Sequence, residues 1–164
     1  MIIRPYKSAD FQRLDEIDHQ VFTRDLAYSH LELQYYLRSR KCRSLVAEED
    51  SVIVGFVIAE FEPPNIGHII TIDVARDRQR HHIGSTLLDG VERWLWEREA
   101  EAIYLETPVD DTGAFGFYEK HGYFIFERIE GYYNGSLDAF VMMKTSRRPW
   151  KGPERSATFD ANNQ

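Results

Sequence analysis

Apolar positions along this chain of 164 residues follow two different periods, and the switches between them mark out its elements. Runs of alternating or continuous apolar residues predict strands at 1–4, 44–48, 52–62, 67–74, 102–106, 123–129 and 137–144. Spacings of three and four predict helices. One buries Phe11, Leu14, Ile17 and Val21, a second Leu33, Tyr36 and Leu37, and a third, over 83–99, Ile83, Leu87, Leu88, Val91 and Leu95. A short helix is expected at 113–121. Punctuation supports these limits: Pro5 closes the first strand, Ser8 or Asp10 is placed to cap the first helix, and a loop is expected at 23–28. Glu49-Asp50-Ser51 joins a hairpin, Pro63-Pro64-Asn65 breaks the chain, Pro108 ends a strand, and Gly122 stops the fourth helix. The order β αα βββ α β α ββ predicts one α/β domain over 1–145, with a central mixed, mostly antiparallel sheet of about seven strands and helices on both faces. Residues 146–164 turn to Arg, Pro, Gly, Ser and Asn, and are expected to form a flexible basic tail.

Composition narrows the class. No run of about 18 apolar residues is present, so no membrane span is expected. The segment Met1-Ile2-Ile3-Arg4-Pro5 lacks the layout of a signal peptide. The single cysteine, Cys42, allows no internal disulfide and suits a reducing, cytoplasmic setting. Beside Lys41 and Arg43 it is expected to be a small packing residue rather than a nucleophile. The six histidines lack paired ligand spacing, so no metal is expected. Net charge is −7. The tail holds four basic and two acidic residues, which leaves −9 on residues 1–145. Such a body repels nucleic acid and favours cationic partners, or serves solubility alone.

Candidate chemistry concentrates between Ile69 and Tyr123. The strand Ile69-Ile70-Thr71-Ile72-Asp73-Val74 leads into Arg78-Gln79-Arg80-His81-His82-Ile83-Gly84-Ser85, a basic turn that opens a helix. Free N–H groups and a partial positive charge at a helix start accept phosphates. Gly84 permits close approach to the backbone, and Ser85 and Thr86 offer hydroxyl donors. Downstream stand Leu105-Glu106 and Ala114-x-x-x-Tyr118-Glu119-Lys120-His121-Gly122-Tyr123.

Gln79-x-x-His82-x-Gly84 resembles the acyl-CoA turn of the GCN5-related N-acetyltransferase (GNAT) superfamily, Gln/Arg-x-x-Gly-x-Gly/Ala. The stretch from Leu105 to Tyr123 is similar to the segment Leu-Glu-Val-Arg-x-x-Asn, then Ala-x-x-x-Tyr-Glu-x-x-Gly-Phe, of N-terminal amino-group acetyltransferases, including the ribosomal-protein alanine enzymes. Gly131-Tyr132-Tyr133, Asp138-Ala139 and Met142 resemble the closing hairpin. The resemblance covers about 69–144 and implies a GNAT-type domain that binds acetyl-CoA. It places the cofactor along Ile72, Val74, Gln79, Arg80, His81, His82, Ile83, Gly84, Ser85, Asp111 and Ala114, with two parallel strands splayed near Val74 to admit pantetheine. Three positions depart from the pattern. His82 replaces a glycine, Thr107-Pro108 replaces Val-Arg, and Asp111 replaces an asparagine, which sets a carboxylate near phosphate unless it points away.

An amine attacks a thioester only as the neutral base, whereas α-amino groups have pKa about 7.7–8.0 and lysines about 10.4. Glu106 is the candidate proton acceptor, directly or through water, and Tyr118 is the candidate acid for the departing thiolate. Candidate acceptor contacts are Phe22, Tyr28, Tyr36, Tyr132 and Tyr133. They suit a protein N-terminal α-amino group, or a small cationic amine such as a polyamine or amino sugar. A non-catalytic acyl-CoA-binding module is the alternative of another class. No nucleic-acid partner is expected, and the chain is expected to be a monomer or homodimer.

Overall fold

The apolar stripes of the helices close on the two faces of one seven-stranded sheet in a computed structural model that describes residues 1–22 and 26–146. In chain order the elements are β1 (Ile2–Pro5), α1 (Phe11–Val21), α2 (His30–Arg38), β2 (Cys42–Glu49), β3 (Val52–Glu62), β4 (Ile66–Val74), α3 (Ile83–Glu97), β5 (Ala102–Pro108), α4 (Thr112–Lys120), β6 (Phe124–Tyr133) and β7 (Leu137–Thr145). The strands lie in the order β1-β2-β3-β4-β5-β7-β6. Only β4 and β5 pair in parallel, so the sheet is mixed and mostly antiparallel. The tail expected at 146–164 lies, beyond Ser146, outside the described residues.

Each face has its own core. Leu87, Leu88, Val91 and Leu95 of α3 pack with Val57, Ala59, Ile69, Ile103 and Leu105, all buried. On the other face Leu14 and Ile17 of α1 and Leu33 of α2 meet Val46, Phe56 and Ile58, all fully buried. Each such side chain contributes about 1.5–3 kcal/mol by leaving water.

Local chemistry shifts several limits. Residues Ser8–Asp10 form a 3-10 turn, and neither Ser8 nor Asp10 caps α1 with its side chain. Asp10 instead accepts the Lys7 N–H at 2.8 Å and grips the Arg4 guanidinium. Ser29 opens α2 through a reciprocal cap with Glu32. Pairing with β7 carries β5 past Glu106 as far as Pro108, which stands opposite Ala139. Gly122 ends α4 as expected, in a left-handed conformation with φ +86°.

Two irregularities make a site. Thr71 faces Ile58 across the β3–β4 ladder and Ile69 faces Ala59, so Ile70 is an extra, bulged residue. Before the bulge Ile69 faces α3. After it Thr71 and Asp73 stand opposite Ile58 and Phe56 on the α1–α2 face, and Ile72 and Val74 pack toward α3. The second irregularity is a gap. β4 and β5 are paired only at Ile66–Ala102, Gly67–Ile103 and His68–Tyr104, after which β4 stays with β3 and β5 with β7. The two parallel strands splay, as the resemblance implied.

Candidate active site

Strand alternation puts Tyr104 and Glu106 of β5 on the α1–α2 face, beside His68 of β4 and Glu62 of β3. His68 Nε2 lies 2.7 Å from Glu106 Oε2, and its Nδ1 lies 3.4 Å from Glu62 Oε1. The imidazole stacks on Tyr104 with centroids 4.2 Å apart and planes 10° from parallel, and the Tyr104 hydroxyl donates to Glu62 at 2.8 Å. Burial alone would lower the His68 pKa, but the charges and hydrogen bonds of Glu106 and Glu62 outweigh it and hold the ring at about 9. At neutral pH His68 is therefore an imidazolium between two carboxylates. Burial acts to raise the Glu62 pKa and is outweighed by the His68 and Tyr104 hydrogen bonds, so that carboxyl sits below its ordinary range.

Tyrosines surround Glu106. Burial first, and the negative charge of Glu106 among further causes, push the phenols of Tyr28, Tyr36, Tyr132 and Tyr133 upward, so all four are neutral at working pH. Tyr28 and Tyr36 meet edge to face at 5.6 Å, as do Tyr132 and Tyr133 at 4.9 Å. The Tyr28 hydroxyl donates to the Ile70 carbonyl at 3.1 Å, at the bulge. The structure thus gathers four of the five expected acceptor contacts around the expected base. Phe22 follows the last turn of α1 with its N–H on the Asp18 carbonyl, and among the described residues makes no ring contact with them.

The opposite face carries the candidate phosphate turn and Tyr118. Gln79 donates its side-chain amide to the Val74 carbonyl at 3.2 Å, folding the turn back on the end of β4. Arg80 and His82 are both left-handed, at φ +66° and +60°. His82 is the residue that precedes the first turn of α3, and it caps nothing with its side chain. The family's glycine at this position is explained by that conformation, which costs other residues about 1–2 kcal/mol. Gln79, Arg80, His81 and His82 are exposed, and Ser85 is half-buried in the first helical turn. Ile83 is buried, so only its backbone N–H can face a ligand. A Cβ on Gly84 would meet the Phe117 ring at 3.4 Å, an ordinary contact, so packing against α4 does not itself require a glycine there. Arg78 is tied to Glu49 and Asp77.

Tyr118 packs between Phe117 and Tyr123, at 5.1 and 5.6 Å, against the α3 core. Burial, then Asp73 and Asp111, push its phenol well above the ordinary range. Asp111 points to the backbone: its Oδ1 accepts the Ala114 N–H at 2.9 Å and caps α4. Cys42 is half-buried, and burial raises its thiol to about 11, which removes thiolate reactivity at neutral pH. Among the described residues no group of three His, Cys, Asp or Glu is placed to hold a metal, and no helix is long and apolar enough to cross a membrane.

Sequence reasoning missed His68, Glu62 and Tyr104. One signal was available: His68 is a polar residue in a mostly apolar strand, as are Thr71 and Asp73. Weighing the histidines only as metal ligands passed over it.

Known proteins share this fold. The model of the acetyltransferase (GNAT) family matches residues 9–123. An uncharacterised N-acetyltransferase of Methanocaldococcus jannaschii is 31% identical over 154 residues, which span 93% of this chain and 96% of that protein. An N-alpha-acetyltransferase of Sulfurisphaera tokodaii is 27% identical, over 79% of this chain and 87% of its own. Among solved structures, Ard1 from Thermoplasma volcanium superposes with a TM-score of 0.79 at 22% identity, covering 88% of this chain and 96% of that one. An aminoglycoside 6'-N-acetyltransferase complexed with coenzyme A gives 0.77 at 20% identity, over 92% and 100%. With a family match across most of the domain, and a splayed parallel pair beside a helix-opening phosphate turn, this chain belongs to the GNAT family of acetyltransferases.

Proposed function

We propose that the protein moves the acetyl group of acetyl-CoA to the α-amino group at a protein N-terminus, with Glu106 as proton acceptor and Tyr118 as proton donor. The observation that carries this reading is Glu106, oriented by His68 among four tyrosines, on one face of the strand gap, with Tyr118 and the phosphate turn on the other. The cofactor's pyrophosphate would meet the backbone N–H groups of Ile83, Gly84 and Ser85, with Gln79, Arg80, His81 and His82 around it. Its pantetheine arm would run along Ile72 and Val74 past Ala114 and Asp111. CoA supplies an activated thioester, and the chain's own residues do the rest. The His68 imidazolium donates to Glu106 Oε2, which leaves Oε1 to take the proton of the incoming ammonium, directly or through water. Tyr118 stays protonated throughout the working range and gives its proton to the thiolate sulfur as that charge develops; the burial that raises the phenol also raises a thiolate beside it.

The acceptor class rests on two supports. The curated relatives with an assigned acceptor carry N-alpha-acetyltransferase names. An α-amine is also about one-tenth neutral at pH 7, against about one part in 2,500 for a lysine-type amine, so a single carboxylate suffices as base. A small cationic amine is the second reading, favoured by the acidic slot of Glu62, Glu106 and their neighbours. Thiol release from acetyl-CoA, followed across N-terminal peptides, polyamines and amino sugars, decides between them, with mass spectrometry locating the acetyl group. Turnover of peptides blocked at the α-amine, or of small amines alone, would reject the first reading. Acetyl-CoA binding without turnover on any acceptor would reject both in favour of a binding module.

A further inference from the structure

Behind the acceptor slot two carboxyl groups meet in the dry interior. Asp18 of α1 and Asp73 of β4 are both fully buried. Asp18 Oδ2 accepts the Tyr28 N–H at 2.9 Å, and Asp73 Oδ1 accepts the Thr71 hydroxyl at 3.1 Å. Their remaining oxygens, Asp18 Oδ1 and Asp73 Oδ2, are buried without a hydrogen-bond partner among the described residues, and each carboxyl acts on the ionisation of the other. Two interacting carboxyl groups in so dry a place cannot both stay ionised, so the pair retains a proton. Burial, as the first cause, holds Asp18 at about 6 and Asp73 well above the ordinary range.

We propose that the Asp18–Asp73 pair, bridged by a single proton, is the positioning device that fixes Tyr28 and hence the acceptor side of the site. The bridge binds α1 to β4, and Asp18 in turn fixes the Tyr28 backbone. The Tyr28 side chain then spans to the Ile70 carbonyl and packs against Tyr36. The bulge makes this possible, since it turns Asp73 toward α1. Other charged and titratable groups face the pair from each neighbouring element: Asp15 and His19 on α1, with His30 of α2 held 2.9 Å from Asp15, then Tyr28, and Tyr118 of α4, whose phenol feels Asp73. β3 presents Phe56 and Ile58 there, which carry no charge.

The inference rests on the slot being the acceptor site, and its test separates the two. Asp18→Asn keeps an oxygen for the Tyr28 N–H and supplies a fixed N–H for Asp73, imitating the bridged state; Asp18→Ala removes both. Amide hydrogen exchange at Tyr28, which needs no turnover, is expected to speed up about tenfold or more in the alanine variant and to stay near the parent in the asparagine variant. With the best peptide of the acceptor panel, the alanine variant is expected to raise acceptor KM about tenfold and leave acetyl-CoA KM alone. On the alkaline side the parent's acceptor KM is expected to climb as the bridging proton leaves, and Asp18→Asn to stay flat. Unchanged exchange at Tyr28 in Asp18→Ala, or an asparagine variant as impaired as the alanine one, would overturn the proposal. Altered exchange with no turnover on any amine would uphold the anchoring of Tyr28 by the pair while rejecting the acetyl-transfer reading and, with it, the acceptor role.

Discussion

The two faces of the strand gap are built on opposite plans. On the α1–α2 face the working groups are wired together before any ligand arrives: Glu106 to His68, His68 to Glu62, Glu62 to Tyr104. On the α3 face the phosphate turn is exposed, two of its residues hold left-handed backbone, and its side chains make few bonds to the protein. The proposed base, Glu106, has to be aimed at one proton, which calls for rigidity. A pyrophosphate is gripped by several amides at once and brings its own negative charge, so the turn can leave its donors free for it.

Removing Glu106 is expected to have the largest effect. Glu106→Gln should lower kcat/KM by about 10³ while acetyl-CoA binding, read by calorimetry, stays within about twofold. Comparable loss of both would mean that the two faces are not separable. Tyr118→Phe should cut kcat by about 10², again with acetyl-CoA affinity kept, in steady-state thiol-release kinetics. No loss would move the proton donor elsewhere on the α3 face.

His68→Gln should lower kcat by about tenfold, because Glu106 loses the charged donor that orients it and keeps at best a neutral amide. Its stability effect has a defined sign. The folded-state pKa of His68 is raised to about 9 from an ordinary 6.5, so the stabilisation is full below about 6.5 and is lost as pH rises through 9. The thermal gap between parent and His68→Gln should therefore be widest near pH 6 and close above pH 9. A gap constant with pH would show that the ring is not held as an imidazolium. The smallest effect belongs to the loose face. His82→Gly should raise Tm by about 2–4 °C through relief of the left-handed strain, and should tighten acetyl-CoA binding. Weaker binding would give the imidazole a direct role at the phosphates.

Much of the frame was legible in the sequence because it is local. The stripe of Ile83, Leu87, Leu88, Val91 and Leu95 and the stop at Gly122 are written in adjacent residues, and α3 and α4 lie within two residues of their expected limits. Glu106 stood out as a candidate through the Leu105–Tyr123 resemblance, and Tyr28, Tyr36, Tyr132 and Tyr133 through their places in the first two helices and the last hairpin. The His68–Glu106 contact was not, because 38 residues separate the partners and only the parallel register of β4 on β5 aligns them. Nor was the Asp18–Asp73 contact, since simple alternation from Ile69 would point Asp73 at α3. Which way Asp111 points was left open by the sequence; in the structure its Oδ1 is taken by the first turn of the helix it starts.

That bulge at Ile70 sets a rule for how this strand can change over evolutionary time. Substitutions along β4 alter one face at a time, but gain or loss of a single residue there would invert the phase of everything from Thr71 to Val74. The acid that meets α1 and the residues that meet α3 would exchange sides together. Length in this strand is therefore under tighter constraint than identity, and a one-residue gap here in a related chain should be read as a changed site rather than as ordinary drift.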